Sequence, residues 1–237
     1  MRTGIGRDGA VVSGNGGFRS GRVKPYRKYK PLPALIVIGV LGLVAAFVWV
    51  NAISSNTDLE EAIRCQPSPT PTGGVTYTPQ PHDALDATQP TPPDRVAVRV
   101  LNASGTRGQA AMTTEGMRRL GFTQIAEPEN DPAYASAEAN CHGQIRYGAN
   151  GEGAARTVAL VDPCLELVRD NRQDATVDLA IGTAFNDARL TTAARDVLDR
   201  LNAWSAQNRG TGDSEQSTGR GPTIDQALLD QTRPEHC

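Results

Sequence analysis

The sequence predicts an α+β protein, in which one small two-layer βαββαβ sandwich follows a single transmembrane helix. Three observations predict it. Residues 32–50 carry no charge and no strongly polar side chain. Val96, Val98 and Val100 alternate with Ala97 and Arg99, the period of a strand. Helical apolar spacing then alternates with further short strand-like runs as far as Trp204, so helices can cover a small sheet.

The first 31 residues are basic and expected to be disordered. Residues 1–30 hold Arg2, Arg7, Arg19, Arg22, Lys24, Arg27, Lys28 and Lys30 against Asp8 alone, a charge of +7, so the net −2 of the whole chain leaves −9 for the rest. Seven glycines among residues 1–23 and the lack of apolar periodicity leave too little surface to bury against the entropy of ordering. The nineteen residues 32–50 would span about 28 Å as a helix, which suits a bilayer core. A transmembrane helix is therefore placed at 32–53. The cations cluster on its N-terminal side, which puts the N-terminus in the cytoplasm and the C-terminal domain outside. The basic segment is too long for an ordinary signal peptide, so the helix reads as a retained anchor despite the small residues at 50–52.

Residues 54–95 read as a stalk and proline-rich linker. Eight of the sixteen prolines lie between 66 and 94, a composition that favours an extended tether. The folded domain is placed at 96–204 and a polar tail at 205–237, with a short helix around 223–229. Within the domain, the strand at Val96 ends at Asn102-Ala103-Ser104-Gly105. Thr106 and Gln109 have capping-box spacing, Ala110, Thr113, Met117 and Leu120 line one helix face, and Gly121-Phe122 fits a left-handed C-cap with its hydrophobic contact. Short strands are expected at 122–126 and 144–147, a helical pattern at 152–170 broken or kinked by Pro163, a strand at 176–181, and a closing helix at 190–204.

The stretch VAVRVLNASGTRGQAAMTTEGMRRLGF at 96–122 resembles the opening of the LytR C-terminal domain family, and VDLAIGTAF at 177–185 resembles its closing strand. In that family the module often follows a large catalytic domain that transfers wall polymers; here the linker stands in its place, so the resemblance implies no transfer activity. The wider architecture, including CHGQIRYGANGEGAARTVALVDPCLELVRDNR at 141–172, resembles actinobacterial envelope-integrity proteins. That resemblance implies a non-enzymatic role in the cell envelope, with no catalytic residues and no cofactor. The use of arginine as the only permanent cation after residue 30 is consistent with a high-GC bacterial source.

Cys65, Cys141, Cys164 and Cys237 would face an oxidising compartment and are the disulfide candidates. Three connectivities are possible. Cys141 with Cys164 is favoured because both fall in the core, which leaves Cys65 with Cys237. A zinc site is disfavoured, since His142 and His236 merely adjoin cysteines and no Cys-x-x-Cys spacing is present. Ser104 lies in a strand-to-helix turn without a Gly-x-Ser-x-Gly elbow, so it reads as a turn residue. Asn102, Gly105, Arg107 and Gly108 form a possible ligand turn, where backbone amides and one cation could receive an anionic group of a wall polymer. The acidic domain argues against nucleic acid, and its arginines read as solvated faces. The expected partners are the membrane and either an envelope protein or a cell-wall polymer.

Overall fold

A computed structural model describes residues 32–208, 221–233 and 237. The basic segment expected to be disordered lies outside the described residues, as does the tail at 209–220. The chain divides into two compact units, Met1–Val48 and Trp49–Cys237. Helix α1 (Leu32–Ile63) contains the apolar run, and its described side chains from 35 to 50 are exposed. Among the described residues no helix is long and apolar enough to cross a membrane.

The second unit is built on a mixed seven-stranded sheet. In chain order its elements are β1 (Thr78–Pro79), β2 (Ala97–Asn102), α2 (Gln109–Arg119), β3 (Gln124–Ile125), β4 (Glu129–Asn130), β5 (Gly143–Tyr147), α3 (Glu152–Ala159), β6 (Glu166–Arg169), β7 (Val177–Ile181), α4 (Thr192–Gln207) and α5 (Gln226–Asp230). The strand order is β1-β6-β5-β7-β2-β3, with β4 also on β2. Parallel pairs β2/β3 and β5/β6 are each bridged by a helix, α2 and α3, so two βαβ units flank β7. β7 runs parallel to β2 and antiparallel to β5.

Strand alternation sends Val98 and Val100 of β2, Ile145 and Tyr147 of β5, Leu167 of β6, and Val177, Leu179 and Ile181 of β7 to one face. There they meet Ala110 and Met117 of α2 and Ala155 and Val158 of α3 in the main core. Burial pushes the Tyr147 phenol up to about 12. α2 ends as its sequence demands. Gly121 sits at φ 100°, its N–H donates to the Arg118 carbonyl at 3.1 Å and that of Phe122 to Met117 at 3.2 Å, the paired bonds of a Schellman cap. Phe122 is buried beyond it.

Several expectations change. α2 starts at Gln109 with Gly108 as N-cap, so Thr106 and Gln109 do not form a capping box. The helix expected over 152–170 stops at Ala159, and the chain turns through Asp162-Pro163 into strand β6. Pro163 has no N–H to continue the helix, and Glu166-Leu-Val-Arg169 alternates between two buried faces, a short pattern that reads equally as helix. The linker is no free tether. β1 pairs antiparallel with β6, Leu85 enters the main core, Pro90, Pro92 and Pro93 are buried, and the Thr70 N–H donates to Ala133 at 3.0 Å. The tail is anchored too, because Ile224 and Leu229 pack with Leu160, Val197, Leu198 and Leu201 against α4.

The disulfides join Cys65 to Cys141 and Cys164 to Cys237, with Cα separations of 4.8 and 5.5 Å. This corrects the expected Cys141–Cys164 pairing. That choice assumed Cys65 and Cys237 were remote from the sheet, whereas linker and tail fold back onto it. Each bridge ties one end of the second unit to its middle. Non-reducing peptide mapping is expected to recover these two linkages, and a Cys141–Cys164 peptide would refute them. Cys237→Ser is expected to lower the unfolding free energy by about 2–4 kcal/mol in chemical denaturation and to expose the 221–233 segment to protease.

Candidate site on the second face of the sheet

The opposite face of the sheet mixes a small apolar cluster, with Leu101 and Ala180 packed against Ala133, Tyr134 and the Cys65–Cys141 bridge, and a row of polar side chains. Gln144 and Arg146 of β5, Glu166 of β6, Asp178 of β7 and Arg99 of β2 alternate with the core residues and so point away from them. Asp178 is the register partner of Arg99 on one side and of Arg146 on the other. That row of three divides the face into a covered half and an open half.

In the covered half, Arg146 is 1% exposed. Its Nη1 and Nη2 donate to the two Asp131 carboxylate oxygens at 3.0 and 2.7 Å, a bidentate pair. Nε and Nη2 also donate to Gln144 Oε1 at 3.0 and 2.8 Å. Gln144 Nε2 donates to Glu166 Oε2 at 2.7 Å, and the backbone N–H of Cys65 reaches the same oxygen at 3.1 Å. Tyr77 and Tyr134 lie 4.8 and 5.7 Å from the guanidinium, offering ring faces to the cation. Burial drives the Tyr134 phenol well above its ordinary range. Its hydroxyl donates to the Pro67 carbonyl at 3.0 Å and so fastens the former linker.

The open half is a cleft of about 500 Å³ lined by Val75, Ala97, Arg99, Gln124, Ala126, Asp170, Arg172, Asp174, Thr176 and Asp178, among others. Its floor is a chain of charges. Arg99 Nε and Nη2 donate to Asp178 at 3.0 and 3.1 Å, while Arg172 Nη2 bridges Asp178 and Asp170 at 2.6 Å each. Burial alone pushes the Asp178 carboxyl up, but hydrogen bonds and charge from Arg172 and Arg99 together outweigh it and hold the group below the ordinary carboxylate range. Arg172 is likewise weakened by burial but raised overall by Asp170 and Asp178. Its loop can approach β5 because residue 148 is glycine: a Cβ there would collide with the Arg172 carbonyl oxygen.

The turn at 102–108 lies elsewhere and is largely engaged with itself. Asn102 Nδ2 donates to Thr106 O at 2.9 Å, and its Oδ1 accepts from the Ser104 N–H and hydroxyl at 3.1 and 2.8 Å. Ser104 also contacts Gln109, whose amide reaches Phe185 O. Arg107 and Gly108 are exposed, and the Glu138 carboxylate stands against Gly105, placing negative charge beside the turn. Asp162 is fully buried; its Oδ1 accepts from the Cys164 N–H at 2.9 Å and its Oδ2 sits 3.1 Å from His142 Nδ1. The sulfurs of Cys141 and Cys237, which adjoin histidines in sequence, are both in disulfides.

The reading of the domain's arginines as solvated faces fails for Arg146, Arg156 and Arg172. Arg146 and Arg172 lie on or beside strands whose second face is closed, wholly or partly, by chain distant in sequence. The signal available was the pair Tyr77 and Tyr134, aromatic residues set in otherwise polar, proline-rich segments.

The strands and helices from β2 to β7 form a LytR C-terminal-type domain: residues 95–185 match the family described as LytR cell envelope-related transcriptional attenuator. The chain is 37% identical over 217 residues to the cell envelope integrity protein Cei of Mycobacterium tuberculosis, covering 90% of this chain and 93% of that protein. It also resembles the crystal structure of the soluble domain of a conserved hypothetical secreted protein from Mycobacterium marinum, at TM-score 0.57 and 34% identity, over 68% of this chain and 97% of that one. The chain belongs to the family of the cell envelope integrity protein Cei.

Asp131→Ala leaves the Arg146 guanidinium buried without its counter-ion, and a loss of about 3–5 kcal/mol is expected in denaturant titration. A loss under 1 kcal/mol would mean that water replaces the carboxylate. For Asp178 the folded pKa is depressed, so its contribution is full above the unfolded carboxylate value of about 3.9 and is lost as pH falls through the folded value. The stability gap between the native chain and Asp178→Asn is therefore expected to be largest near neutrality and to shrink as pH falls below the ordinary carboxylate value of about 3.9. A gap constant over that range would contradict the ionised assignment.

Proposed function

We propose that this chain is a membrane-anchored, non-catalytic protein that maintains the cell envelope through contacts made by its extracytoplasmic domain. The observation that carries the reading is the pair of disulfides, Cys65–Cys141 and Cys164–Cys237, which brace the second unit in a way suited to an oxidising compartment. The uncharged run at 32–50 within α1 supports the anchor, and the lysines and arginines before it support a cytoplasmic N-terminus.

The non-catalytic reading draws on how the reactive groups are engaged. The Ser104 hydroxyl lies between Asn102 and Gln109. His142 is held by buried Asp162, and His82 Nε2 sits 2.8 Å from the Pro163 carbonyl. Two carboxylates of the cleft, Asp170 and Asp178, are paired with guanidinium groups. These arrangements suit rigidity and recognition; general acid–base chemistry needs a group poised to exchange protons near the working pH.

Alkaline phosphatase fused after Cys237 is expected to be active in intact cells, and the same reporter fused before Met1 inactive; the reverse pattern would sink this topology. Ser104→Ala and Arg107→Ala are expected to restore envelope integrity to a deletion strain as well as the native chain does. Complete loss of rescue by a folded variant would reopen an enzymatic reading.

A further inference from the structure

We propose that the cleft floored by Arg99, Asp178 and Arg172 is a binding site for a neutral, polyhydroxylated glycan chain. The inference rests on the envelope-facing reading above and gives that reading a ligand class. The cleft's volume of about 500 Å³ falls within the range of ligand sites.

Its charges select against a polyanion. Arg99 and Arg172 stand against Asp170, Asp174 and Asp178, so the cleft has net charge −1. Asp174 stays ionised because the hydroxyl and backbone N–H of Thr176 both donate to it. A phosphate-bearing or carboxylate-bearing polymer would meet uncompensated negative charge here. A hydroxyl has no such conflict, since it donates to a carboxylate and accepts from a guanidinium at the same time. Vicinal hydroxyls can therefore bridge an Arg–Asp pair without separating it.

The cleft is also preorganised. Arg172 is fixed by Asp170, Asp178 and Thr176 before any ligand arrives, which reduces the ordering cost of binding. Arg99 keeps 43% of its side chain exposed and offers guanidinium surface to a ligand. Val75, Ala97 and Ala126 supply apolar wall for the C–H faces of a sugar ring. Val75 is held there by a reciprocal tie: the Thr76 N–H donates to Asn171 Oδ1 at 3.3 Å, and Asn171 Nδ2 donates to Gly74 O at 3.1 Å. The folded-back linker thus completes the site.

The test is calorimetric titration of the full-length chain in detergent. The probes are neutral oligosaccharides released enzymatically from protein-free cell walls of the source organism, with the anionic fraction of the same digest as comparison. Saturable binding of the neutral fraction, insensitive to added salt, is expected. Ala126→Trp, at an exposed position that fills the cleft, is expected to weaken it by about tenfold or more at an unchanged denaturation midpoint, and Arg99→Gln, which also removes the pair with Asp178, to weaken it as much with a lowered midpoint. Binding of the anionic fraction alone, neutral-fraction binding that survives Ala126→Trp, or no binding by either fraction would overturn the proposal. Titration in solution is blind to topology, so its failure is separable from failure of the fusion test.

Discussion

The buried pair between Arg146 and Asp131 is the interaction on which the second face of the sheet depends. A guanidinium taken out of water carries a large desolvation cost, which attraction to one carboxylate offsets only when the remaining N–H groups also find acceptors. Gln144 supplies that acceptor, and Glu166 in turn satisfies Gln144 and the Cys65 backbone. The result is one connected path from the 131–134 loop across β5 and β6 to the first disulfide. Replacing any member leaves its neighbours with unmatched polar atoms in a closed space, so the network enforces a single way for the flanking segments to lie.

That constraint explains why residues rich in proline fold back. Residues 64–95 have few apolar side chains with which to pack, and extension would otherwise be their lowest-cost state. Tyr77 and Tyr134 place ring faces near a cation that already needs shielding, Leu85 supplies a true core contact, and the Cys65–Cys141 bridge removes the entropy of letting go. At the other end, Ile224 and Leu229 dock on α4 and the Cys164–Cys237 bridge secures the terminus. The two ends differ in chemistry but share a logic: a weak local interaction becomes persistent once a covalent link shortens the loop.

Where signals were local, the sequence was legible. The valine alternation of β2, the Schellman cap at Gly121 and the amphipathic spacing of α4 each depend on residues a few positions apart, and each forms as expected. β6 was hidden because both its faces are buried, which erases the alternation that marks a half-exposed strand. The disulfide pairing and the cleft were hidden for another reason. Both arise from contacts between segments some 70 or more residues apart, 76 in the case of Cys65 and Cys141, and neither composition nor periodicity carries that information. Arg99 and Asp178 illustrate the limit: in sequence each is an unremarkable polar residue at an outward strand position, and only the β2/β7 register makes them partners.

The register also explains how one sheet face serves two ends. Asp178 lies between Arg99 and Arg146 in adjacent strands, yet its hydrogen bonds go to Arg99 and Arg172, while Arg146 turns to Asp131. Had Arg146 paired with Asp178, Arg99 and Arg172 would have competed for a carboxylate already shared. By giving Arg146 and Arg172 separate anions, Asp131 for the first and Asp170 with Asp178 for the second, the fold closes one half of the face and leaves the other open. The closed half holds the flanking segments in place. One of those segments carries Val75 to the edge of the open half, so the rigidity of the buried network sets the shape of the exposed cleft.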